Sequence, residues 1–72
     1  MALAFDPGQT VRLIREAFDD ETGYSFPAGS VCEFAQSLGG ARCVVEIDKA
    51  LGDPLDHGWT PVVVDIEILE AI

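Results

Sequence analysis

Basic side chains are scarce. Arg12, Arg15, Arg42 and Lys49 are the only lysines and arginines among 72 residues, against thirteen acidic ones, for a net charge of -9. They are spread along the chain rather than clustered, so phosphate backbones are repelled and direct DNA or RNA binding is not expected. No run approaches the ~20 apolar residues of a membrane helix, and no membrane partner is expected. The segment Met1 to Asp6 has neither the positive start nor the long apolar stretch of a signal peptide, which points to a cytoplasmic protein. No glycine-rich phosphate loop is present, so no nucleotide site is implied.

Ligands for metals and groups for catalysis are equally few. Cys32 and Cys43 are the two cysteines and His57 is the single histidine. With a carboxylate such as Asp53 or Asp56 they would make four ligands, but the closely spaced pairs of a structural zinc site are missing. No metal and no cofactor is expected. A catalytic His57 would need a nucleophile or an electrophilic group held beside it, and no serine or cysteine is near it in sequence. The chain reads as a non-enzyme. Without an export signal, the two cysteines read as reduced thiols.

What is present is a strand-forming chain. The hydrophobic fraction of 49% excludes disorder, and the length suits one domain with a small core that a partner would help to stabilise. Residues 1–8 read as a leader ending in the turn pair Pro7-Gly8, and residues 9–72 as the domain. Thr10 to Arg15 alternates as a strand does, although Val11, Ile14, Arg15 and Phe18 also have helical spacing. Glu16 to Ser30 is a fifteen-residue connection, long enough to be functional or mobile. Val31–Ser37 and Ala41–Ile47 form a hairpin across Gly39-Gly40, with a bulge in the first strand. Lys49 to Thr60 is irregular. A strand is expected from Pro61, and Ile66, Ile68 and Ile72 are expected to close the core. The fold class is all-β.

Four short segments carry a resemblance. Gly8-Gln9-Thr10-Val11-Arg12-Leu13 resembles the first strand of small bacterial SH3-like proteins. Phe26-Pro27-Ala28-Gly29-Ser30-Val31 resembles the turn into their second strand. Cys43-Val44-Val45-Glu46-Ile47 resembles the strand after their hairpin, and Val64 to Leu69 resembles their closing segment. The pattern is also similar to the barrel domain of the nitrile hydratase β-subunit and to KOW-like barrels. It spans Gly8 to Glu70, departing at Cys32, where those families place glycine, and in the longer Lys49–Thr60 segment. The resemblance implies a small SH3-like barrel of about five strands with a long first loop.

In such barrels, aromatics from the first loop and a later loop line a shared groove. Tyr24, Phe26 and Trp59 are the candidates here. Large, rigid, amphipathic rings concentrate at binding sites, but a chain this short also needs them for its core. The adjoining run Asp19, Asp20 and Glu21 lacks the alternate spacing of a calcium loop. It would favour a basic ligand, such as a proline-rich peptide carrying arginine. The expected function is a non-catalytic protein-binding module or accessory subunit of a larger assembly. The alternatives are a self-associating homo-oligomer and an acidic decoy of nucleic acid.

Overall fold

The computed structural model describes residues 5–72. The first strand, β1 (Thr10–Leu13), buries Val11 and Leu13 and exposes Thr10 and Arg12. This is the two-residue period of a half-buried strand, and it excludes the helix that the same residues also permit. Beyond Leu13 the chain bends, and Ile14 and Phe18 face solvent.

The long connection is more regular than its sequence suggests. It contains a two-stranded ribbon, β2 (Ala17–Phe18) paired antiparallel with β3 (Ser25–Phe26). Its tip is closed by the Asp19 carboxylate. That group accepts from the Thr22 backbone N–H at 3.2 Å and from the Thr22 hydroxyl at 2.7 Å. Such a short polar side chain satisfies turn amides that would otherwise lack partners.

β4 (Val31–Gly39) and β5 (Arg42–Asp48) form the expected hairpin. Gly39 and Gly40 take φ of 89° and 58°, a left-handed pair that side-chain-bearing residues rarely adopt. The register shifts between Phe34 and Gln36, so Ala35 bulges out. The bulge explains why neither side of this strand is cleanly apolar in the sequence. Asp48 then caps a 3-10 turn (Lys49–Leu51), accepting from the Ala50 N–H at 3.0 Å. β6 (Trp59–Asp65) begins earlier than Pro61, which lies inside it. A second 3-10 turn (Ile66–Ile68) leads into β7 (Leu69–Ala71).

The main sheet is antiparallel and five-stranded, in the order β6-β5-β4-β1-β7. β6 and β7 are its two edges and do not pair, so the expected barrel is not closed. The β2–β3 ribbon forms a separate sheet. Phe26, Phe34, Leu13, Ile47, Val11, Val45 and Val62 are fully buried, along with both cysteines. Burying each of the larger side chains contributes on the order of 1.5–3 kcal/mol. Leu69 is buried at the C-terminal edge, whereas Ile72, expected in the core, is 67% exposed. The turn at Ile66–Ile68 resets the alternation, and Ile66 and Ile68 pack only partly against the core.

The end of the expected leader is tied to this core. The Phe5 ring lies 5.8 Å from that of Phe34, and the Gly8 N–H donates to the Phe34 carbonyl at 2.8 Å. Met1 to Ala4 lie outside the described residues. Among the described residues, no helix is long and apolar enough to cross a membrane.

Candidate docking cleft

The three aromatics singled out in the sequence have three different placements. Phe26 is 0% exposed, at the centre of the core. It can support a surface from below but cannot touch a ligand. Tyr24 is half-buried and meets Phe26 edge-on, with ring centroids 6.4 Å apart. Trp59 is 63% exposed at the start of β6.

The polar end of Tyr24 is already engaged. Its hydroxyl donates to Asp56 Oδ2 at 2.6 Å. Asp56 Oδ1 accepts from the His57 N–H at 2.8 Å and lies 3.8 Å from Lys49 Nζ. The bond to Asp56, then burial and the charges of Asp56 and Asp53, push the Tyr24 phenol up to about 12. The same bond and that from the His57 N–H hold the Asp56 carboxyl below its ordinary range. Gly52 fits beneath this pair because Tyr24 leaves no room for a Cβ there. The contact is a latch that fastens the β2–β3 ribbon to the loop before β6.

Asp19 is also engaged in structure: it is 7% exposed and closes the ribbon tip on Thr22. Asp20 and Glu21 are exposed. Cys32 and Cys43 are free and buried in β4 and β5. Burial raises both thiols, that of Cys32 to about 11. His57 is exposed, and no three metal-ligating side chains converge among the described residues.

The concave surface lies between the ribbon and β6. Two adjoining hollows of about 380 Å³ and 270 Å³ share Phe18, Arg42 and Val63. The larger reaches Arg15, Glu16 and Ala17 on one side and Asp65, Glu67 and Ile68 on the other. The smaller runs under Asp19, Asp20 and Glu21 toward Pro61. Phe18 is 59% exposed and Val63 44% exposed. Arg15 lies 3.5 Å from Glu67, and Arg42 3.4 Å from Asp65. These are solvent-exposed pairs that contribute little stability. Glu16, Asp20 and Glu21 form no ion pair among the described residues.

No family model, curated protein or solved structure matches this chain.

The sequence pointed to the acidic run, but not to Phe18, Val63 or Arg42. Val62, Val63 and Val64 are three consecutive valines. Their facing depends on the pairing of β6, which puts Val62 and Val64 inside and Val63 outside. Phe18 had a weak signal in the apolar pair Ala17-Phe18. A two-residue strand buries one and exposes the other.

Proposed function

We propose that this chain is a non-catalytic protein-binding module, an accessory subunit of a larger assembly, and that a basic segment of its partner docks in the cleft between the ribbon and β6. The observation that carries this reading is the exposure of Phe18 and Val63 over a concave surface rimmed by Glu16, Asp20 and Glu21. Exposed apolar side chains within a polar, mainly acidic surround, with Arg15 and Arg42 as its two cations, fit the apolar centre and polar rim of a docking site. The rim attracts cations, which steers a basic partner toward the floor. An SH3-like arrangement is part of the proposal, supported by the long first excursion with its own ribbon and by the 3-10 turn before the last strand. The two free buried thiols suit a reducing, cytoplasmic setting.

The test is co-purification of the tagged chain from its native cells at near-physiological salt, with partners identified by mass spectrometry. The expected result is one stoichiometric partner that is lost from a Phe18→Ser, Val63→Ser variant with unchanged melting. Both side chains are exposed, so the fold should tolerate their loss. A partner that survives the substitutions overturns the cleft as the site. A well-folded sample with no partner overturns the module reading.

A further inference from the structure

The hydrogen-bond parity of β6 identifies which of its backbone groups are paired. Ile66 N–H donates to the Ala41 carbonyl at one end of the β5–β6 ladder, and Lys49 N–H donates to the Gly58 carbonyl at the other. The register between them is continuous, with Cys43 opposite Val64, Val45 opposite Val62 and Ile47 opposite Thr60. Paired residues alternate along an antiparallel ladder. Thr60, Val62 and Val64 therefore turn their N–H and C=O groups toward β5. Trp59, Pro61, Val63 and Asp65 turn theirs toward the open edge. Pro61 lacks an N–H and occupies one of these outward positions, so the ladder to β5 loses nothing there.

The ribbon shows the same arrangement on the other side of the cleft. Asp19 N–H donates to the Tyr24 carbonyl, and Ala17 pairs with Phe26 in the same phase. Phe18 falls between them and faces its backbone groups away from β3. Among the described residues, two strand edges without a partner thus border one cleft, with Val63 on one and Phe18 on the other. Open edges of this kind pair readily with added strands.

We propose that the partner's basic segment, docking as read above, enters as an extended strand that hydrogen-bonds the free edge of β6 at Val63 and at the Asp65 N–H. The ladder stops at Pro61, which offers only a carbonyl. The charge of the cleft selects the occupant. Six carboxylates (Glu16, Asp19, Asp20, Glu21, Asp65 and Glu67) face only Arg15 and Arg42. A second copy would set one chain of charge -9 against another. A strand alternating lysine or arginine with apolar residues instead places cations on the rim and apolar groups on Phe18 and Val63.

The experiment titrates the isotope-labelled full chain with a peptide of alternating lysine and valine, about eight residues long as strands commonly are. Parallel titrations use the same peptide N-methylated at every valine or at every lysine, and an arginine-bearing polyproline peptide. The parent peptide is expected to slow amide exchange at Val63 and Asp65, and one methylated form to bind about tenfold more weakly or worse. Val63→Pro removes an edge N–H that the β5 ladder does not use, and should weaken the parent peptide by a similar factor of about ten. If both methylated peptides or the polyproline peptide bind the cleft as well as the parent, strand addition fails while cleft docking stands. If no peptide shifts any cleft resonance, both readings fail. Concentration-dependent protection of Val63 and Asp65 without peptide would make a second copy the occupant and overturn the basic partner.

Discussion

Replacing Gly52 with alanine sets two opposed effects of known sign against each other. Gly52 has φ -97° and ψ -30°, a conformation that alanine adopts without strain. On backbone grounds alone, the substitution would stabilise the fold by about 0.4–1 kcal/mol, by restricting the unfolded chain. The surroundings oppose it. A Cβ there would sit 2.7 Å from Tyr24 Cβ and 3.1 Å from Tyr24 Cγ and Phe26 Cε1. The closest atom is fixed to the Tyr24 backbone, whose carbonyl accepts from the Asp19 N–H, so relief requires shifting the ribbon or the turn. Overpacking costs about 1–3 kcal/mol, and a 2.7 Å approach to so poorly movable an atom puts the cost in the upper part of that range, so it outweighs the entropic gain and leaves a net loss of about 1–2 kcal/mol. For a domain of this size each kcal/mol is worth about 4–8 °C, so thermal unfolding should fall by about 4–16 °C. Circular dichroism melting measures it directly. Tyr24→Gly removes the nearest obstruction. In that background Gly52→Ala should lose most of its effect, a coupling of about 1 kcal/mol or more in a double-mutant cycle. A melting temperature at or above that of the parent for Gly52→Ala would refute the packing of the ribbon on this turn.

The Tyr24–Asp56 latch has a pH signature. Tyr24 is the only tyrosine, so phenolate absorbance reports it alone, with an expected midpoint near 12 in the folded chain. A folded value raised above the unfolded one means the bond stabilises below the ordinary 10.0 and is lost as pH rises through about 12. Asp56 has the opposite sign: its contribution is present above the ordinary 3.8 and is lost as pH falls through its lowered value. Denaturant melts of Tyr24→Phe should lack the alkaline window, and an unchanged alkaline profile would remove the latch. Phe34→Ala empties a site with 0% exposure beside Phe5. A loss of about 3–5 kcal/mol takes most of the stability of so small a core, and the variant should be unfolded or nearly so by circular dichroism at room temperature.

Local pattern made much of the fold legible. Alternation at Val11 and Leu13, the Gly39-Gly40 turn and the β-branched run at Val62–Val64 mark strands because side-chain period and turn chemistry are local properties. The ribbon at Ala17–Phe18 and Ser25–Phe26 was not legible, since two-residue strands leave no period to detect. Part of the candidate site was legible too. Asp20 and Glu21 line the cleft, whereas Tyr24 and Trp59, expected to share a groove, are not among its lining residues. Phe26 does not reach the surface, because aromatic type alone carries no information about facing.

Composition and short-range pattern by themselves determined an acidic, all-β chain with a hairpin at its centre. These follow from counts, spacing and backbone preferences that hold without knowledge of distant neighbours. Tertiary structure alone decided that Tyr24 is a latch, that Val63 rather than Val62 faces out, and that Phe18 stands across a cleft from β6. Each depends on pairing between residues far apart in the chain, where a shift of one residue exchanges the inside for the outside.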